Sequence, residues 1–142
     1  MEELFTNAPE QTFALAKAMG EQCRRGEVYC LNGDLGAGKT LFAQGFGTGL
    51  GVTDPINSPT FTIVQVYEEG RMPLYHFDVY RIADPEEMYE VGFEEYVEGQ
   101  GVCLIEWSDL IEDILPEHRI DIRIERVPGG SEEERRLRIC RY

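Results

Sequence analysis

Hydrophobic positions change period several times along the 142 residues, and each change marks an element. Phe13, Ala16, Met19 and Cys23 recur at helical spacing and predict a helix over residues 8–24. Asn7 reads as its N-cap, with Glu10 three residues on as in a capping box, and Gly26 as its stop. Residues 3–6 ahead of it read as a short strand. Residues 27–32 read as a buried strand. Leu41, Phe42, Phe46 and Leu50 then return to helical spacing until Gly51. Residues 52–59 carry two prolines and read as loop. Residues 61–67, rich in β-branched and aromatic side chains, and residues 74–80 predict a hairpin across Glu69-Gly70-Arg71. Asp84-Pro85-Glu86-Glu87 opens a helix, with proline at the first position and acids at the positive end of the dipole. Residues 93–97 predict another short helix, 102–105 an apolar strand, and 110–115 a short helix ended by Pro116. Ile120, Ile122 and Ile124 alternate with charged residues, as do Leu137 and Ile139. They predict two half-buried strands on either side of Pro128-Gly129-Gly130-Ser131. Strands interleaved with helices make this an α/β chain.

The turn between the buried strand and the second helix reads Gly33-Asp34-Leu35-Gly36-Ala37-Gly38-Lys39-Thr40. It fits G-x-x-x-x-G-K-[ST], the phosphate-binding P-loop, with a strand before it and a helix after it. Its glycines let the backbone approach a ligand closely. Its successive N–H groups form a nest for phosphate oxygens, and the following helix points its positive dipole end at the same place. Lys39 supplies charge for the β- and γ-phosphates, and the Thr40 hydroxyl suits magnesium. A Gly-rich turn with a surface lysine does not explain three glycines, Lys and Thr in this order.

Length and composition fit one domain, here residues 1–142. No apolar run approaches a membrane span, and the acidic start Met1-Glu2-Glu3 does not resemble a signal peptide, so the expected location is cytoplasmic. Cys23, Cys30, Cys103 and Cys140 form no C-x-x-C pair, and Cys30 and Cys103, inside apolar runs, read as reduced core residues. The net charge is −14, and Asp84 to Asp113 holds eleven acids without Lys or Arg. That stretch reads either as a solvated face or as a docking surface for a basic partner. Neither reading supplies the broad basic footprint that nucleic acid requires.

A P-loop site also needs a second metal contact and a group that orients the attacking water. Glu106 directly follows the apolar strand and falls at the edge where such sheets bind ligands. Asp78 lies within the apolar run 74–80, so its carboxylate needs a partner: a metal-bound water, a backbone donor or Arg81. His76 and Tyr80 share its face, and His76 reads more readily as a satisfied structural histidine than as a catalytic one. Thr60 lies where P-loop switch proteins place a threonine that senses the γ-phosphate.

Four segments together resemble the TsaE (YjeE) family: the loop Gly33 to Thr40, Ser58-Pro59-Thr60-Phe61, His76-Phe77-Asp78-Val79-Tyr80-Arg81, and Glu106-Trp107. The order and spacing match from the first helix to about Leu115. The resemblance implies a single P-loop NTPase-like domain, with a central mixed β-sheet flanked by helices and added antiparallel strands. It implies a magnesium-dependent ATPase supporting threonylcarbamoyladenosine formation in tRNA, together with the TsaD and TsaB proteins. By position, Lys39 would bind phosphate, Thr40 and Glu106 would hold magnesium, and Asp78 would sit beside the attacking water. Ser58 and Thr60 would lie in a switch-like loop facing the partner, with Trp107 beside the metal. Glu10 and Arg135 are the candidates for adenine contacts. A small-molecule kinase and a non-hydrolysing nucleotide-dependent adapter remain open. The Asn/Thr-Lys-x-Asp pattern of guanine-specific proteins is missing, since Lys17 and Lys39 are the chain's two lysines.

Overall fold

Residues Val28–Asn32 (β2) and Val102–Glu106 (β5) are buried at every position. Continuous burial is the mark of parallel strands covered on both faces. The two pair in parallel, Cys30 opposite Ile105 and Leu31 opposite Glu106. Around them the computed structural model, which describes residues 1–59 and 62–142, places five further strands. These are β1 (Glu2–Thr6), β3 (Val64–Tyr67), β4 (Leu74–Asp78), β6 (Ile120–Arg126) and β7 (Arg135–Arg141). The order is β1-β7-β6-β2-β5-β4-β3. The four strands β6, β2, β5 and β4 run parallel to one another, and antiparallel pairs extend the sheet at both edges. This is the mixed sheet with added antiparallel strands that the family resemblance implies.

Helices α1 (Pro9–Gln22) and α2 (Lys39–Leu50) belong with one face of the sheet, where Phe42, Phe46, Tyr29, Leu31, Leu104 and Ile122 share a core cluster. The short helices α3 (Glu87–Glu90) and α4 (Phe93–Val97) and the 3₁₀ helix Ser108–Ile114 belong with the other face. There Met88, Phe93 and Ile111 join Cys30, Phe77 and Ile105 in a second cluster. Each fully buried Phe or Leu contributes about 1.5–3 kcal/mol. Cys30 and Cys103 are free and buried, and burial pushes both thiols up to about 12. Backbone meets backbone where α1 crosses α2. A Cβ on Gly20 would lie 2.1 Å from the Phe46 carbonyl oxygen, and one on Gly49 would lie 2.1 Å from that of Lys17. The α1 carboxyl end is closed by Arg71, whose guanidinium donates to the carbonyls of Gly20 and Cys23.

Several boundaries differ from the sequence expectations. Ala8, not Asn7, occupies the N-cap of α1, because Pro9 takes the first helical position. Gln11, not Glu10, reaches back to the Asn7 N–H at 2.6 Å. The strand expected over 74–80 ends at Asp78, where its carboxylate accepts the Tyr80 N–H and turns the chain. The strand expected over 61–67 is described from Val64. Asp84 still accepts from the Glu86 N–H, but α3 begins only at Glu87. The segment expected as helix 110–115 is 3₁₀ from Ser108, with a break at Ile111.

Candidate active site

The P-loop leaves β2 and enters α2 through two glycines at positive φ, Gly36 at 76° and Gly38 at 111°. An L side chain is strained there, so glycine is what allows the turn. Gly33 packs against β6, where a Cβ would meet the Ile124 carbonyl oxygen at 2.4 Å. Two arginines of the C-terminal hairpin hold the outer side of the loop. Arg126 donates to the Gly36 carbonyl at 3.2 Å, and Arg135 Nε donates to that of Ala37 at 2.7 Å. A carbonyl and the following N–H point opposite ways across a trans peptide, so the Arg135 contact turns the Gly38 N–H away from the arginine.

A cavity of about 300 Å³ opens over this loop. Leu35, Gly36, Gly38, Lys39 and Thr40 form one wall, Asp78, Tyr80, Glu106 and Trp107 another, and Ser58 reaches it from the loop after α2. The sheet explains the convergence. Asp78 and Glu106 are register partners at the ends of β4 and β5, and Glu106 stands opposite Leu31, one residue before β2 ends. Lys39 begins α2 directly above these strand ends.

Lys39 is 6% exposed. Its ammonium donates to the carbonyls of Gly33 and Asp34, the latter at 2.9 Å, and lies 4.0 Å from the centroid of the Trp107 ring. Burial lowers its pKa, opposed by Glu106 first and then by Asp34 and Asp78. The Asp78 carboxyl is raised above its ordinary value, mainly by burial and further by Glu106, against the pull of the Tyr80 N–H. Of the partners expected for Asp78, the backbone donor is present. Arg81 instead lines the neighbouring cleft of about 600 Å³, which shares Leu35, Ser58, Asp78 and Tyr80 with the cavity over the glycine-rich loop. Trp107 adopts left-handed backbone angles, φ 64° and ψ 32°, and its ring packs tilted at 46° against that of Tyr80, centroids 4.6 Å apart. Such a conformation costs about 1–3 kcal/mol in a non-glycine residue and clusters at functional sites. Asn32 offsets part of this by fixing the chain beyond it: its amide donates to Ser108 and accepts the Asp109 N–H.

The oxygens facing the cavity suit a hard cation. Thr40 Oγ1 lies 3.4 Å from Ser58 Oγ, and Asp78 and Glu106 add two carboxylates. Magnesium uses one or two carboxylates together with substrate phosphates and water, so this set fits. Among the described residues no group of three or more His, Cys, Asp or Glu gathers as a metal centre, so any cation here relies on the Thr40 hydroxyl and on ligand oxygens beside the two carboxylates. Thr60 and Phe61 lie outside the described residues. Glu10 is exposed on the first turn of α1; its neighbours Pro9 and Thr12, with Arg135, line a cavity of about 80 Å³ behind the loop. His76, read more readily as a structural histidine than as a catalytic one, is buried and faces Glu106. Arg126 and Asn32 carried no sequence signal, since their contacts join segments 90 and 76 residues apart. The acidic stretch divides. Glu87 reaches the cleft beside Asp78, whereas Glu94 and Glu98 rim a separate groove with Tyr89 and Phe93.

The family model for Threonylcarbamoyl adenosine biosynthesis protein TsaE matches residues 6–137, a span that contains this whole cavity. The chain belongs to the TsaE family. The tRNA threonylcarbamoyladenosine biosynthesis protein TsaE of Bacillus subtilis (strain 168) is 52% identical over 126 residues, covering 89% of this chain and 78% of the relative. The protein of the same description from Treponema pallidum (strain Nichols) is 40% identical over 128 residues, 90% of this chain and 94% of the relative. The crystal structure of YdiB from B. subtilis superposes with a TM-score of 0.78 at 44% identity. That match covers 96% of this chain and 82% of YdiB. The fold of YdiB is thus shared over nearly the whole of this chain.

Proposed function

We propose that this chain binds ATP with magnesium and hydrolyses it slowly, in support of threonylcarbamoyl transfer to adenosine in tRNA by a TsaD–TsaB complex. The observation that carries the reading is the meeting of Lys39, Thr40, Asp78 and Glu106 in one cavity over a glycine-rich loop. The role in tRNA modification rests on family membership and on the names of the relatives.

The P-loop N–H groups and the α2 amino terminus hold the phosphates, and Lys39 turns from its backbone carbonyls toward them. Thr40 and Glu106 are the residues that would hold magnesium, which when bound spreads the phosphate charge. Asp78 lies on the same wall, half-buried, and its raised pKa makes it a better proton acceptor than a free aspartate. It orients a water toward the γ-phosphorus. The new bond forms to that water oxygen, the bond to the β–γ bridging oxygen breaks, and the products are ADP and phosphate. Thr40 is exposed and Leu35 is 67% exposed, so solvent reaches the phosphate site. An open site leaves the electrostatics weak and the water poorly held. A partner seated in the adjoining cleft would close it.

The test is reconstitution. TsaD, TsaB, a tRNA acceptor and ATP are combined with the wild-type chain or with Lys39→Ala, and modified adenosine and phosphate release are both measured. Multiple turnovers of modification with the wild type only are expected. Equal modification with Lys39→Ala would refute the role.

A further inference from the structure

Beneath the phosphate cavity, Nε2 of His76 lies 2.6 Å from Oε2 of Glu106. The two side chains are 0% and 3% exposed. The parallel register produces the contact. His76 stands opposite Leu104 and Asp78 opposite Glu106, so His76 and Glu106 are diagonal neighbours on one face of the sheet. The other ring nitrogen, Nδ1, is buried and has no partner among the described residues. With the ring proton on Nε2, Nδ1 keeps only a lone pair. A carboxylate oxygen only accepts, so the contact is made with the proton on Nε2 as donor and Glu106 as acceptor.

ATP hydrolysis as described uses Glu106 but gives this imidazole no part. A glutamate has three rotatable side-chain bonds, and a metal-binding carboxylate gains affinity when an outer partner fixes its orientation. We propose that His76 is a positioning residue for the magnesium–nucleotide site: its Nε2–H clamps Oε2 of Glu106 and leaves Oε1 as the oxygen available to the metal or its water. The proposal rests on the reading of Glu106 as the carboxylate on the metal side. It differs from a purely structural pairing in one respect. A structural pair, once broken, lowers stability and nucleotide binding alike, with or without magnesium. A positioning clamp, once broken, raises the magnesium requirement.

Trp107 is the single tryptophan, lines the cavity and touches Lys39, so its fluorescence reports nucleotide occupancy. Magnesium is titrated into protein and ATP for the wild type, His76→Leu and His76→Gln, with calorimetry as a second readout. Leucine fills the space without a donor; the glutamine amide can still reach Oε2. The expected result is a magnesium midpoint raised roughly 10- to 100-fold in His76→Leu, the range for loss of such outer partners. Magnesium-free ATP binding stays close to wild type, and His76→Gln recovers most of the loss. Should His76→Leu fail to fold, His76→Asn, whose shorter amide falls short of Oε2, gives the same comparison. A wild-type midpoint in the donor-less variant overturns the proposal. So does a loss that is equal with and without magnesium, or a glutamine variant no better than leucine. A wild type that binds ATP without any response to magnesium would instead sink the magnesium–ATP reading, and this proposal with it.

Discussion

Lys39 is held between two P-loop carbonyls and the face of Trp107. On the proposed function, bound ATP draws the Lys39 ammonium away from these partners and gains a charge-assisted contact worth about 1.5–3 kcal/mol. Lys39→Ala is therefore expected to weaken ATP binding by roughly 10- to 100-fold in calorimetry. Asp78→Asn should behave differently. It keeps the shape and the cavity wall, so ATP still binds, while single-turnover hydrolysis falls by roughly 10²–10⁴, the usual worth of a positioned general base. Lys39 and Thr40 were legible in the sequence because the P-loop is a contiguous stretch whose glycines, lysine and threonine each have a local reason. The His76–Glu106 contact was not. It depends on the register of two strands 30 residues apart, which neither segment encodes alone.

Among the elements, α1 and α2 cross without side chains between them at Gly20 and Gly49. Alanine in a helix is favoured over glycine by about 1 kcal/mol. A Cβ at Gly49 would nonetheless lie 2.1 Å from a backbone carbonyl that cannot step aside, and overpacking costs about 1–3 kcal/mol. Net destabilisation of Gly49→Ala is expected, read as a lower urea midpoint. Helical spacing revealed both helices but not this crossing, since glycines read as weak helix formers until the partner is known. The loop after α2 is fastened at its base by Glu69, which accepts from Thr53 Oγ1 and from the Thr53 and Asp54 N–H groups. The Thr53 hydroxyl, followed by the Asp54 amide, holds the Glu69 carboxyl below its ordinary 4.5. A depressed carboxylate stabilises above its unfolded value and loses that contribution as pH falls through its folded value. Thermal unfolding of the wild type and Glu69→Gln should therefore differ near neutrality and converge in acid. A gap that stays constant across that range would contradict the anchor.

For the molecule as a whole, the α/β class was legible in the interleaving of strands and helices, whereas the mixed sheet was expected from the family resemblance. Less legible were the ends of elements, where Pro9, Asp78 and Trp107 turn the chain through local contacts that hydrophobic period does not carry. Among the described residues no helix is long and apolar enough to cross a membrane. A net charge of −14, with exposed acids on α4 around an apolar groove, favours association steered by a basic surface. The proposed binding to TsaD and TsaB should then weaken as salt is raised, most clearly in the association rate. The most direct measurement of the central claim is the rate of phosphate release from magnesium–ATP, for the wild type and Asp78→Asn, each alone and with TsaD and TsaB. We expect slow release by the wild type alone, a marked increase with the partners, and loss of both in Asp78→Asn. Fast release by the isolated chain that Asp78→Asn leaves intact, with no response to the partners, would contradict it.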